Sequence, residues 1–282
     1  MTEYLRTRDF MVSQEEFVLM YDEQLQLLRT EPQPDNITAY YQDEAYISHT
    51  DKNNSLLEKI YHLVRTIGLN KKRRWLKKYL QQETRILDVG AGTGSFVLYL
   101  KEKGFTIDGV EPSSKARKVA KAKGIDLKEG ISDLGERSYD AITLWHVLEH
   151  FKDLDQSIDE ITSRIKKGGF LYIAVPNFRS YDAKHYGDYW AAYDVPRHLW
   201  HFSKESIHKI FTRKGFSVLD ARPMLFDSFY ISLLSERYKS GKDNWLAAFW
   251  HGLRSNLYGW KTGEYSSLVY ILKKDSEPFK GV

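Results

Sequence analysis

Arg85-Ile86-Leu87-Asp88-Val89-Gly90-Ala91-Gly92-Thr93-Gly94-Ser95-Phe96 joins a short apolar run to alternating glycines and then to a helical pattern. The glycines stand where a strand hands over to a helix. A residue without a Cβ lets the backbone turn sharply there and approach a ligand. The spacing is G-x-G-x-G rather than the G-x-G-x-x-G of dinucleotide sites, and Ser95 falls where that fingerprint needs its last small residue. Asp88 puts an anion where a diphosphate would enter, so a ligand bearing an ammonium group suits the loop better. The next strand ends in Val110-Glu111, and Glu111 follows Gly90 by 21 positions, where a carboxylate accepts both hydroxyls of a ribose. The implied ligand has a ribose, a cationic amino-acid tail and no phosphate.

Outward from this stretch, short apolar strands alternate with amphipathic helices. Strands are predicted at Ile86–Val89, Thr106–Val110, Ile125–Lys128, Ala141–Trp145, Phe170–Val175 and Phe216–Ala221. Helices are predicted at Ser95–Lys103, Ser113–Lys123, Leu154–Lys166 and Lys204–Arg213. This alternation is the signature of βαβ units in a doubly wound α/β sheet. Residues 176–202 break it with no periodicity, and a connection this long reads as a lid or binding element. Helical stretches around 229–238 and 245–257 form a second insertion before a last strand, Ser267–Leu272. On the N-terminal side, an amphipathic helix is predicted to stop at Gly68 and a second to run from Lys71 to Gln82. Pro32 and Pro34 break the first fifty residues, which read as an appended segment.

The chain has 282 residues, 42% hydrophobic and 28% charged, with no cysteine. Disulfides, thiolate zinc sites and cysteine nucleophiles are excluded together. There is no apolar run of membrane-spanning length and no hydrophobic signal core, so a cytoplasmic protein without a membrane span is expected. A net charge of +4 is too small to imply nucleic acid. The basic runs at Lys71–Arg74 and Lys115–Lys123 read as solvated helix faces.

The segments RILDVGAGTGSF, IDGVEPS, YDAITLWHVLEHF, IKKGGFLYIAVPN and KGFSVL together resemble a class I S-adenosylmethionine-dependent methyltransferase over residues 84–221. The resemblance implies a Rossmann-like sheet of seven strands, mostly parallel, with the last antiparallel to its neighbours. It also implies S-adenosylmethionine as cofactor. Asp88 and the loop Gly90, Ala91, Gly92 and Gly94 would cradle the methionine part, Glu111 the ribose, and Ile131 and Ser132 the adenine, with Trp145 and His146 facing the sulfonium. The segment around Pro32–Pro34 and Tyr40–His49 resembles the pre-domain of bacterial relatives that begin with a zinc ribbon, here without its thiolates. The chain is accordingly divided into an N-terminal extension, 1–50, and a methyltransferase domain, 51–282, with insertions at 176–202 and 228–262. The string DVPRHLWHFS, residues 194–203, looks like a substrate-side motif of the same bacterial group.

Methyl transfer to a hydroxyl requires alignment of the partners and removal of a proton. His146, at the C-terminal end of a strand, is the expected base or positioner, with His198 as a second catalytic group. Tyr46, Trp190, Arg197 and His201 are the expected acceptor contacts. His146, Glu149 and His150 follow helical spacing and form an alternative metal set, resembling the two glutamates and histidine of ubiquinone-pathway enzymes. His146 replaces the first glutamate, and no metal is expected. The reading is an enzyme that O-methylates a small metabolite or sugar-like acceptor. Its rivals are a cofactor-binding protein without catalysis and a nicotinamide-dependent oxidoreductase, against which the glycine spacing speaks. The acceptor's identity is not legible.

Overall fold

The computed structural model describes residues 1–41, 56–81 and 83–275, with side chains of the first helix described from Val64 onward. Three antiparallel strands open the chain: β1 (Thr2–Arg8), β2 (Glu16–Asp22) and β3 (Leu27–Glu31). Helix α1 spans Leu56–Tyr79 without interruption, so Gly68 does not stop it as predicted. An interior glycine costs a helix only about 1 kcal/mol. Burial of Leu76 and Leu80 beyond it, with the Tyr99 hydroxyl bonded to the Asn70 side chain, offsets that.

The alternation then follows the sequence closely: β4 (Arg85–Val89), α2 (Ser95–Glu102), β5 (Thr106–Val110), α3 (Ser114–Ala122), β6 (Tyr139–Trp145), α4 (Leu154–Ser163) and β7 (Ile165–Pro176). After the long connection, which contains α5 (Tyr181–Tyr186) and β8 (Trp200–His201), come α6 (Lys204–Arg213) and β9 (Phe216–Pro223). Helices α7 (Asp227–Ser240) and α8 (Trp245–Thr262) precede the last strand, β10 (Ser267–Lys274). The central sheet has six strands in the order β5-β4-β6-β7-β10-β9, the first four parallel and β10 antiparallel to both neighbours. This is the expected Rossmann-like fold with one strand fewer. The predicted strand Ile125–Lys128 makes a single parallel bridge, Val110 to Lys128. Its apolar alternation is real, since Ile125 and Leu127 are buried, but Leu127 packs over Gly109 and only Lys128 reaches the sheet edge.

Successive residues of each strand feed opposite cores, as the period of two demands. Ile86, Ala141, Tyr172 and Ile271 pack with α1 and α2 residues such as Leu76, Phe96 and Val97. Leu87, Ile142, Leu171, Ile173 and Leu272 pack on the other side with Ile158 and Ile207 of α4 and α6. Both faces of the sheet are thus covered, as a parallel sheet requires.

The long connection is not a loose flap. It folds as α5 and two 3-10 turns and lends β8 to β3, completing a four-stranded sheet, β1-β2-β3-β8. Phe178, Tyr186, Trp190, Tyr193 and Val195 form a third core with Phe17, Leu19 and Leu28 of the N-terminal strands and Ile231 of α7. At its centre the buried Asp182 carboxylate accepts from Trp190 Nε1 at 2.8 Å, Ser255 Oγ at 2.5 Å and Ser266 Oγ at 2.6 Å. A buried charge is tolerated because donors surround it. The apolar pattern of this stretch was illegible as helix or strand because its aromatic residues sit on short turns.

Candidate active site

The C-terminal ends of the parallel strands β4, β5 and β6 meet at one edge of the sheet, where open α/β folds bind ligands. From β4 the chain enters the glycine loop. Gly90 has φ of +69°, and a Cβ there would lie 2.4 Å from Val147 Cγ2, so only glycine fits. Gly92 also has positive φ, +54°, but no atom of the described residues lies within 4 Å of its Cβ position. Its backbone therefore floors open space.

Glu111, one residue past β5, fixes that floor. Its Oε2 accepts from the Gly92 amide at 2.8 Å and its Oε1 from the Ser113 amide at 2.9 Å. Each oxygen keeps a lone pair for a further donor. Ala91 bonds through its amide to the Val110 carbonyl at 2.9 Å, pinning the loop to β5. Ile131 packs in the core with Val89 and Val110, and Ser132 beside it is exposed.

Asp88 lies deeper than expected. It is buried, its Oδ1 accepts from Thr143 Oγ1 at 2.6 Å, and burial pushes its carboxyl up to about 7 against the pull of Thr143 and Lys72. It thus faces the sheet interior rather than the mouth of the loop. Lys72 of α1 supplies the nearby cation, with Nζ 4.1 Å from the Trp145 ring centroid and 5.4 Å from that of Phe96. Burial lowers its ammonium to about 8, opposed by Asp88 and Asp227. Aromatic faces and carboxylates together make this end of the cleft a place for a positive charge.

His146 follows β6 in the left-handed conformation, φ +58°, its amide bonded to the Ala174 carbonyl at 3.0 Å. The imidazole sits between two carboxylates, Nδ1 3.3 Å from Glu149 Oε1 and Nε2 3.2 Å from Asp227 Oδ2. Burial opposes protonation, yet the two carboxylates outweigh it and raise the imidazole to about 10. About a third of the side chain is exposed, so solvent screens the pair, but the sign stands. The ring is an imidazolium at neutral pH. The expected role as a base is corrected accordingly, since an imidazolium has no ring lone pair left to take a proton.

Behind it, the structure groups Glu149, His150 and His198, whose ligating atoms all lie within 4.8 Å of one another. This differs from the predicted set of His146, Glu149 and His150. A 3-10 turn at Leu148–His150 replaces the α-helix that would have put the predicted three on one side. His150 Nδ1 meets the Arg197 carbonyl at 2.9 Å and His198 Nδ1 the Ala192 carbonyl at 2.9 Å. Carbonyls only accept, so both Nδ1 atoms carry hydrogen and both Nε2 atoms offer lone pairs when the rings are neutral. The Glu149 carboxylate is fully buried with His146 Nδ1 3.3 Å from its Oε1, and His146 holds it down to about 2 despite burial.

Three residues expected to face an acceptor turn their polar atoms inward. Trp190 is spent on Asp182. Arg197 is buried and gives four N–H bonds to Asp9, Asp194 and the Tyr40 carbonyl. The Thr30 hydroxyl donates to the His198 carbonyl, so His201 Nε2 carries the hydrogen of its 2.9 Å contact with Thr30 Oγ1. Each was read as functional because the long connection gathers polar and aromatic residues beyond what a solvated connector needs, and the structure places them in a buried core. Tyr46 lies outside the described residues. Asp227 and Lys72 were missed. Asp227 opens a helix 81 residues from His146, and Lys72 stands in a run of basic residues with nothing to mark it from its neighbours.

A family model for a methyltransferase domain matches residues 60–221, more than half of the chain. The chain belongs to the methyltransferase-domain family. This methyltransferase-domain chain is 29% identical over 104 residues to an uncharacterized methyltransferase of Alkaliphilus oremlandii (strain OhILAs), covering 35% of the chain and 48% of that protein. It is 27% identical over 177 residues to the ubiquinone biosynthesis O-methyltransferase of Rhizobium leguminosarum bv. trifolii (strain WSM2304), covering 56% and 67%. The chain spans about half the length of the first curated relatives it matches. Among solved structures, magnesium protoporphyrin IX methyltransferase (ChlM) from Synechocystis PCC 6803 with bound SAH superposes with a TM-score of 0.53 at 15% identity, covering 80% of this chain and 91% of that one. The [4+2]-cyclase SpnF gives 0.52 at 19% identity, covering 81% and 85%. These likenesses show the class I fold.

Proposed function

We propose that the chain is an S-adenosylmethionine-dependent methyltransferase that transfers the methyl group to an oxygen of a small acceptor. The observation that carries this is the Gly92 backbone flooring open space with Glu111 tied to it, which matches a ribose-bearing ligand without phosphate. Family membership and the O-methyltransferase names of several relatives support it. Gly90, Ala91, Gly92 and Gly94 would hold the amino-acid part, Glu111 the ribose hydroxyls, and Ile131 and Ser132 the adenine. Trp145 and the carboxylate of Asp227 favour a cation beside them. The cofactor, when bound, supplies an electrophilic methyl group on a sulfonium.

The protein's own part is alignment and proton removal. With the cofactor bound, a neutral hydroxyl would form its O–C bond as the methyl's C–S bond breaks and the neutral thioether leaves. Its oxygen would become strongly acidic, so a carboxylate would be base enough. Asp227 takes that proton, and His146 holds the Asp227 carboxylate in place through Nε2. Glu149 in turn holds Nδ1 of His146. His146 is therefore a positioning residue and Asp227 the proton acceptor. No metal is needed, because the His146 imidazolium already balances Glu149, and a divalent ion would set a second positive charge beside it.

A second reading is a cofactor-binding protein that uses the fold for other chemistry, as the [4+2]-cyclase with this fold illustrates. Incubating the protein with S-adenosylmethionine and a panel of phenols, carboxylates and sugars, and measuring S-adenosylhomocysteine release, separates the two. Release with an acceptor bearing a free hydroxyl, and none with its methyl ether, supports methylation at oxygen. No release with any acceptor, despite cofactor binding, favours the second reading.

A further inference from the structure

Helix α8 is packed the opposite way round from an ordinary surface helix. Its buried positions are the small residues Ala248, Gly252, Ser255 and Gly259. A Cβ at Gly252 would meet Phe229 at 2.6 Å and one at Gly259 would meet Tyr265 at 2.5 Å, so the helix lies close against the body of the protein. Its large apolar residues point outward instead. Leu246, Phe249, Trp250, Leu257 and Trp260 recur at helical spacing on one side, flanked by Trp245, and all six are more than half or close to half exposed, Leu246 at 86% and Trp260 at 75%. An apolar stripe about 21 Å long, at 1.5 Å per residue, is far more than the scattered apolar residues of an ordinary surface.

The charges choose between occupants. Helix α8 carries Arg254 and Lys261, both exposed, and no acidic residue. On an ideal helix both fall on one flank of the apolar stripe. Lys239 and Lys242 are exposed at the adjoining turn, where the acid Asp243 is held by Arg237 at 2.7 Å. A second copy docking through this face would bring Arg254 and Lys261 against their own equivalents with no carboxylate of α8 to answer them. An anionic lipid surface answers them directly. Tryptophans beside cations on one flank of an apolar face form the pattern of a helix that lies in a membrane interface. Among the described residues, no helix is long and apolar enough to cross a membrane, so the pattern is one of lying on the surface.

We propose that α8 seats the protein on an anionic lipid surface, with the Leu246–Trp260 stripe in the headgroup boundary and Arg254 and Lys261 on lipid phosphates. The proposal does not depend on methyl transfer. Its geometric consequence is that α7, paired with α8, begins at Asp227, so the helix pair on the lipid also forms a wall of the candidate site.

The test is co-sedimentation of the full chain with vesicles of phosphatidylcholine alone and of phosphatidylcholine with 30% phosphatidylglycerol, a composition we select for the test in line with anionic leaflets. The double variant Leu246→Glu/Trp260→Glu changes exposed side chains only, and unaltered circular dichroism and thermal unfolding confirm its fold. The expected result is binding to the anionic vesicles, blue-shifted tryptophan emission on binding, and at least a tenfold loss in the double variant. Arg254→Gln and Lys261→Gln should each weaken anionic-vesicle binding by about fivefold, the equivalent of about 1 kcal/mol per cation near the surface. Vesicle binding unchanged in the double variant, or absent in the parent, overturns the proposal. So does a concentration-dependent dimer in ultracentrifugation that the double variant abolishes, which would assign the stripe to a second copy.

Discussion

His146 Nε2 lies 3.2 Å from Asp227 Oδ2, joining the end of strand β6 to the first residue of α7. This contact ties the class I core to the helical insertion, and it holds the carboxylate proposed to take the acceptor's proton. Replacing Asp227 by Asn keeps the shape and removes the proton acceptor. The expected loss in turnover is about 10²–10⁴-fold, with cofactor affinity nearly unchanged. His146→Gln should lower turnover less than Asp227→Asn. Equal turnover of Asp227→Asn and the parent on an identified acceptor would show that Asp227 takes no proton.

The same contact predicts a pH dependence of stability. The His146 imidazole is raised from 6.5 to about 10, so its contribution is complete below pH 6.5 and is lost as pH climbs toward 10. Glu149 is lowered from 4.5 to about 2, so its contribution is complete above pH 4.5 and is lost as pH falls toward 2. Thermal unfolding of the parent should decline from pH 6.5 upward more steeply than that of His146→Gln. Parallel curves for the two proteins would remove the His146 charge from the account.

Lys72 shares its end of the cleft with the cation that the cofactor would bring. Lys72→Met should raise affinity for S-adenosylmethionine relative to S-adenosylhomocysteine, because only the former carries a sulfonium that the ammonium repels. Competition calorimetry with both ligands measures the ratio. A ratio unmoved by the substitution places Lys72 outside the cation's reach.

Arg197 illustrates a residue whose role burial decides. It pairs with Asp9 at 2.9 Å and Asp194 at 2.7 Å, both side chains largely enclosed. Arg197→Met leaves Asp9 charged and unpaired, and should destabilise the protein by about 3–5 kcal/mol. The acceptor KM of protein that remains folded should not change. Chemical denaturation gives the first quantity and steady-state kinetics the second.

Glu149, His150 and His198 have the donor types of a divalent-cation site, but the charge balance with His146 speaks against one. Exhaustive dialysis against EDTA should leave methyl transfer intact. Loss of activity restored by magnesium or zinc would reverse that conclusion.

The parallel core was legible because each of its strands is an apolar run of fixed length between glycine or polar turns, and the glycine loop carries its own backbone requirement. Two misreadings had local causes. Gly68 resembled a helix stop, but tertiary packing on Leu76 and Leu80 carried the helix through it. Ile125–Lys128 had a strand's alternation without a partner long enough to pair with it. The candidate site was legible at Gly90–Gly94, Glu111 and His146, whose positions follow from strand ends. Asp227 and the inward turn of Trp190, Arg197 and His201 depend on contacts made across the chain, and local pattern does not encode them.

The most direct measurement is calorimetric titration of the parent chain and of Gly92→Val with S-adenosylhomocysteine, alongside NAD. A branched side chain at Gly92 meets both a strained φ and the space assigned to the ligand. The account predicts one equivalent of S-adenosylhomocysteine bound by the parent, none by Gly92→Val at the same concentrations, and no NAD bound by either. Binding of NAD with no response to S-adenosylhomocysteine would contradict it.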